Sequence, residues 1–326
     1  MNYPYLNMLS KVTLGKVLLD NISDFEINEN ILEISDTAKI TIPRNYKQLE
    51  GRSVLDQFSV GDKMTISAGY YYGADVDIAL EFSGYIQEIE SDYPLIIHCE
   101  DESYIFRQNN HNKSYRSATL KQVLSDIVPK DIAIECPDMA LGKFMIDNAS
   151  TYAVLQGLVK NYGLYSRLHG DRLKVGLAYE FGDNTTEHTY TIGKDVKKNE
   201  LKYKRERDFK IRFKAISNNP DGTKTTVTVG NKDGDASERT LNFAGPMSEG
   251  ELKKIAEATM KKVVYDGYTG SITGFGIPRT HAGDALVIRD QFDPEREGKY
   301  MIEKVDITYN ETGGFSRKNS LSFKLQ

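Results

Sequence analysis

The chain has no tryptophan, two cysteines, five histidines and nine prolines in 326 residues, and each scarcity closes off a class of protein. Cys99 and Cys136 are too few for a disulfide framework or a cysteine-rich zinc site, so they read as reduced, partly buried thiols. The histidines, His98, His111, His169, His188 and His281, show neither of the short spacings, H-x-H or H-x-x-x-H, that set two imidazoles on one metal. His98 beside Cys99 makes no ligand pair, because neighbouring strand residues point to opposite faces. No metal or cofactor is expected. An apolar run long enough to span a bilayer is missing too, and mean hydropathy is -0.49, so membrane insertion is not expected. Met1-Asn2-Tyr3-Pro4-Tyr5 lacks the basic start and apolar core of a signal peptide, which points to folding in the cytoplasm. There is no excess of positive charge: 42 Lys and Arg against 47 Asp and Glu give a net charge of -5. That balance argues against specific or broad nucleic-acid binding, which relies on cations neutralising phosphates.

What is present is a mostly polar, globular composition with twenty tyrosines, a residue suited to half-buried strands and protein interfaces. One short pattern occurs twice. Ser59-Val60-Gly61-Asp62-Lys63-Met64-Thr65-Ile66 is echoed by His281-Ala282-Gly283-Asp284-Ala285-Leu286-Val287-Ile288. Each is followed by a second strand-like run, opening at Gly84-Tyr85-Ile86 in one case and at Gly298-Lys299-Tyr300 in the other. A Gly-Asp turn launching an alternating strand, then a glycine launching its partner, suits the tight corners of a small antiparallel barrel. Gly61, Asp62, Gly283 and Asp284 are therefore expected at equivalent barrel corners, with Gly84 and Gly298 at the starts of the partner strands.

The hydrophobic period divides the chain into three. Residues 1–107 alternate with period two, as in Ala38, Ile40 and Ile42 before Pro43, and form a first β-barrel domain. Residues 108–193 change period: Leu120, Val123, Leu124, Ile127 and Val128 lie on one helical stripe that stops before Pro129. Ser150 caps a second helix carrying Val154, Leu155, Leu158 and Val159, closed by Gly163. A hairpin turning at His169-Gly170-Asp171 completes this α+β insert, and a surface turn is expected at Gly182-Asp183-Asn184-Thr185-Thr186. Residues 194–326 return to strands as a second β-barrel domain. Phe209, Ile211, Phe213 and Ala215 run to a turn at 218–222, and Asn231-Lys232-Asp233-Gly234-Asp235 makes the next reversal. One helix, with the capping box Ser248/Glu251 and the stripe Leu252, Ile255, Ala256, Met260 and Val263, is expected to end at Gly267 and to lie across or beside a barrel. The fold class is mainly β, with two similar small antiparallel barrels flanking an α+β middle.

Catalytic constellations are weak. Glu88 with Glu90, or Glu100 with Asp101 and Glu102, offer paired carboxylates of the kind glycosidases use, but on strands of an acid-rich chain they read as solvated faces. Asp233-Gly234-Asp235 lacks the rest of a calcium loop, and Gly270 to Gly276 holds neither G-x-G-x-x-G nor a phosphate-binding lysine. The basic run from Lys197 to Arg207 reads as a solvated strand face rather than a channel lining.

The closing segment resembles a known family. Gly274-Phe275-Gly276-Ile277-Pro278 before Ala282-Gly283-Asp284, then Gly298-Lys299-Tyr300, then Gly313-Gly314-Phe315 before Leu321-Ser322-Phe323-Lys324-Leu325, is similar to the end of phage late-control D proteins, the tail baseplate hubs of contractile phages, related to the hub portion of type VI secretion spike proteins. Ser83-Gly84-Tyr85-Ile86 and Ile97-His98-Cys99-Glu100-Asp101 fit the family's first barrel. The resemblance implies a non-enzymatic homotrimer whose two barrels per chain make a pseudo-sixfold ring. Such a ring joins the tail tube protein to the spike protein, within reach of tape-measure and baseplate wedge proteins, in a virion tail or contractile injection system assembled in the bacterial cytoplasm. The chain reaches Gln326 just after its last strand, so the spike is expected to be a separate protein. A cell-wall-degrading tail enzyme and a glycan-binding adhesion module are the alternatives.

Overall fold

A computed structural model of the chain describes residues 7–20, 22, 24–43, 57–72, 75–90, 94–177, 181, 186–218, 223–244 and 247–325. The turns expected at 182–186 and 218–222 fall largely outside them.

The front half contributes seven strands: β1 (Met8–Leu14), β2 (Val17–Asp20), β3 (Asp24–Asn30), β4 (Thr37–Ile42), β5 (Lys63–Tyr72), β6 (Asp75–Glu90) and β7 (Leu95–Glu100). Alternation does the work here. Ala38, Ile40 and Ile42 of β4 turn inward and are buried, while Thr37, Lys39 and Thr41 are not. The strands pair antiparallel in the order β3-β4-β7-β6-β5-β1-β2.

The first insert follows: β8 (Asn110–Thr119), α1 (Leu120–Ile127), β9 (Ala133–Glu135), β10 (Ala140–Ser150), α2 (Thr151–Tyr162), β11 (Tyr165–His169) and β12 (Arg172–Gly176). Thr119 caps α1 and Ser150 caps α2, each accepting a backbone N–H, and Gly163 closes α2 in the left-handed conformation at φ 65°. The expected helix faces, Leu120, Val123, Leu124 and Ile127 with Val154, Leu155 and Leu158, meet in one buried cluster.

The back half comprises β13 (Glu187–Thr191), β14 (Val196–Lys204), and later β18 (Gly267–Phe275), β19 (Ala285–Arg289), β20 (Gly298–Asn310) and β21 (Gly314–Lys324). Between β14 and β18 the chain leaves to build β15 (Ile211–Asn218), β16 (Lys224–Gly230), β17 (Ser237–Ala244) and α3 (Glu249–Val263). These form a separate three-stranded sheet, β16-β15-β17, whose core is Phe213, Ala215, Phe243, Leu252 and Ala256.

The domain boundaries therefore differ from those drawn on period. β13, inside 108–193, belongs to the back sheet through its parallel pairing with β19. The span 194–326 holds not one barrel with a flanking helix but a sheet interrupted by a second insert. The Phe213/Ala215 alternation marks a strand without saying in which sheet it lies. α3 has its Ser248/Glu251 capping box, yet it covers the insert's own sheet and stops at Val263, while Gly267 opens β18.

Most consequentially, the two β halves are fused. β20 pairs antiparallel with β3 from Lys304↔Asn30 to Asn310↔Asp24, producing one sheet of 13 strands among the described residues. Their apolar faces share a core, with Phe25, Ile40, Ile66 and Ile97 from the front and Tyr190, Ile272, Tyr300 and Ile307 from the back.

Candidate functional site

The doubled turn folds the same way twice. At the front corner the Gly61 N–H donates to the Ile86 carbonyl at 2.8 Å and the Ile86 N–H returns to Asp62 O at 2.9 Å. At the back corner Gly283 donates to Ile302 O at 2.8 Å and Ile302 to Asp284 O at 2.9 Å. Each aspartate closes its own turn: Asp62 Oδ2 accepts the Ser59 N–H and Asp284 Oδ2 the His281 N–H, both at 2.9 Å. Gly61 at φ 91° and Gly283 at φ 100° occupy backbone that a side chain disfavours, which is why glycine stands at both.

Gly84 and Gly298 do not follow this pattern. Gly298 opens β20, but Gly84 lies well inside β6, opposite Met64. The residue opposite Leu286, the counterpart of Met64, is Tyr300. Gly84 is glycine for a different reason: a Cβ there would sit 2.1 Å from the Glu100 carbonyl oxygen. A β6 that continues past the repeated corner gives no signal in the short Gly-x-x runs.

Beyond the corners, the halves share a strand order. Front β3-β4-β7-β6-β5 and back β14-β18-β21-β20-β19 are read off in the same sequence, each antiparallel throughout. Rows of paired residues align as well: Glu88, His98, Lys39 and Glu26 run across the front, and Lys304, Ser320, Ser271 and Glu200 across the back. Even a bulge is repeated, between Ile86 and Glu88 in front and between Ile302 and Lys304 behind. The next strand out differs, since β1 lies antiparallel to β5 whereas β13 lies parallel to β19.

The seam between the halves carries buried charge that alternation alone does not reveal. Arg317, fully buried, donates to Gly276 O at 2.8 Å and Thr280 O at 3.1 Å, and pairs with Glu81 of the front half. Arg279 adds bonds to Glu81 at 3.2 Å and Asp77 at 2.7 Å. Burial pushes the Glu81 carboxyl above its ordinary range, against the pull of Arg317. At the back corner Glu29 of β3 accepts from the Ala282 N–H and meets His281 Nδ1, each at 2.9 Å. Burial opposes the Glu29 charge, but His281 and Ala282 N–H more than offset it and hold the carboxyl low. The same hydrogen bond raises His281.

Four of the candidate acids, Glu90, Glu100, Asp101 and Glu102, are engaged by neighbouring groups, while Glu88 is exposed. Glu100 is clamped by Ser35 and by Arg107, whose guanidinium lies 3.5 Å from the centroid of Tyr152. Asp101 accepts from Ser103 N and Asp36 N, both at 2.9 Å, and burial followed by the neighbouring Asp36 charge pushes it up to about 7. Glu90 meets His98 at 2.6 Å, and Glu102 accepts from Ser83 at 3.3 Å. A groove of about 670 Å³ between both inserts and the back sheet is lined by Tyr162, Tyr165, Phe209 and Phe213 among others; its one lining carboxylate among the described residues, Glu303, accepts from Ser322. Among the described residues no group of three or more His, Cys, Asp or Glu is placed to hold a metal ion, and no helix is long and apolar enough to cross a membrane.

No protein-family model matches the chain, and no curated protein matches it by sequence. Solved structures match over its whole length. The tail protein from Neisseria meningitidis MC58 superposes with a TM-score of 0.63 at 14% identity, covering 98% of this chain and 97% of that one. This is the fold of phage tail proteins. A second example of the tail-protein fold, the prophage MuSo2 43 kDa tail protein from Shewanella oneidensis, gives 0.60 at 13% identity over 97% and 98% of the two chains. The Escherichia coli c3393 protein, a component of the type VI secretion system, gives 0.56 at 10% identity over 93% of this chain and 73% of that one. Identities this low carry the tail-protein fold alone.

Proposed function

We propose that this chain is a structural, non-enzymatic tail hub: three copies form a ring whose six similar β units imitate sixfold symmetry. The observation that carries the reading is the repeated strand order, fused edge to edge inside one chain. A trimer set on a hexameric ring would otherwise leave alternate equivalent edges of its neighbour unmatched, and a unit used twice per chain removes that mismatch. The ring joins a tail tube protein on one face to a spike protein on the other, with tape-measure and baseplate wedge proteins as further contacts. It belongs to the tail of a virion or a contractile injection system. The likeness to phage tail and type VI secretion proteins supports this, as does the engagement of Glu100 and Asp101 in holding the chain together.

Light scattering on the purified chain tests the stoichiometry, with a three-chain mass as the expected result and a persistent monomer as the contrary one. A peptidoglycan digestion assay tests the absence of chemistry. Turnover that survives repurification and is lost on replacing Glu100 would overturn the structural reading.

A further inference from the structure

Two strand edges are left open in a way the seam itself explains. On β20, the edge that β19 leaves at Met301 is taken up by β3 from Lys304 onward. On β6, the counterpart of β20, the edge that β5 leaves at Tyr85 has no strand beside Gln87 to Glu90 among the described strands. On β14, the counterpart of β3, no described strand lies on the side away from β18, and β14 stands at one end of the sheet. Gln87, Glu88 and Glu90 are exposed, as are Lys197, Lys198, Lys202 and Lys204.

We infer that β14 of one copy pairs antiparallel with the end of β6 of the next copy, repeating between chains the β3–β20 contact made within each chain. This rests on the ring reading above and specifies the surface that would close it. The register follows from the aligned rows. Glu26 corresponds to Glu200, so Asn28 and Asn30 correspond to Lys202 and Lys204; Lys304 corresponds to Glu88, so Asp306 corresponds to Glu90. Within the chain Lys304 faces Asn30 and Asp306 faces Asn28. Transferred between chains, Glu88 faces Lys204 and Glu90 faces Lys202.

Both transferred pairs are of opposite charge, although nothing in the row alignment requires it. Opposite charges directly across an antiparallel pair favour it, and like charges oppose it. Lysines along an open edge also discourage indiscriminate strand addition, so the β14 edge selects an acidic partner. In the isolated chain Glu90 leans on His98 and the Lys204 ammonium lies 5.5 Å from the centroid of Phe209; both are exposed contacts that pairing can exchange. The contact is head-to-tail, and with one internal seam per chain it closes after three chains when each of the two seams turns by one sixth of a circle.

Cysteine pairs in a Cys136→Ser background test the register. Glu88→Cys with Lys204→Cys is expected to give disulfides between chains, ending in a covalent trimer, whereas the off-register pair Glu88→Cys with Lys202→Cys is not. Reversing Glu88→Lys with Glu90→Lys, or Lys202→Glu with Lys204→Glu, raises the concentration needed for assembly roughly tenfold or more, and all four together restore it. A three-chain particle that neither crosslinks in register nor responds to reversal overturns the strand pairing and leaves the ring reading standing. In-register crosslinking within an assembly of another size sinks the threefold reading and keeps the pairing. Failure to assemble or crosslink at any concentration overturns both.

Discussion

At the scale of single residues, the equivalence of the two corners makes a matched prediction. Gly61→Ala and Gly283→Ala force a side chain into the same positive-φ turn, and each is expected to cost about 1–3 kcal/mol. Urea unfolding of both variants checks this; one large effect beside one negligible effect would deny the equivalence. Arg317 is a different case, since it and Glu81 are both fully buried. Arg317→Met leaves that carboxylate with Arg279 alone, and a loss of about 3–5 kcal/mol is expected from removing one member of a buried pair. A thermal midpoint within a degree or two of the parent would contradict that.

The Glu29–His281 contact ties stability to pH with a definite sign. His281 is raised in the folded chain, so its contribution is full below the ordinary histidine value of 6.5 and disappears as pH rises through the folded value. Glu29 is lowered, so its contribution is present above the ordinary 4.5 and fades as pH falls through its folded value. The pair therefore stabilises most between those limits. Urea midpoints measured from pH 6 to 8.5 should fall with rising pH, and His281→Gln should flatten that slope. An unchanged slope would show that His281 does not carry it.

At the scale of elements, the second insert is a detour. Lys204 at the end of β14 faces Gly267 at the start of β18, so the chain could turn there directly. Replacing residues 206–265 with an Asn-Gly turn is expected to leave a folded, cooperatively melting β protein, because the insert has its own core in Phe213, Phe243, Leu252 and Ala256. A variant lacking β-type circular dichroism would contradict that independence. The insert also shows where sequence reading stops. Caps and stripes are local, so Ser150 and Gly163 mark both ends of α2 and the Ser248/Glu251 box marks the start of α3. Alternation in Ile211, Phe213 and Ala215 gives a strand but not its sheet, because pairing with β17 rather than β18 is decided by distant residues. The corners were legible for a similar reason, their positive-φ glycines being a local demand. Glu81, Arg317 and the open edges of β6 and β14 were not, since only the folded sheet brings Lys304 beside Asn30 and leaves the end of β6 without a neighbouring strand among the described ones.

At the scale of the whole molecule, one sheet of 13 strands contains two copies of a five-strand order joined by the pairing of β20 with β3. A fused pair of like units presents the same edge geometry twice, which is how a small number of chains can meet a partner of higher symmetry. The most direct measurement is electron microscopy of the purified particle without imposed symmetry. Three chains surrounding a central hole as six near-equivalent β lobes is the predicted image; a lone chain, or a ring whose alternate lobes have unrelated strand paths, would contradict it.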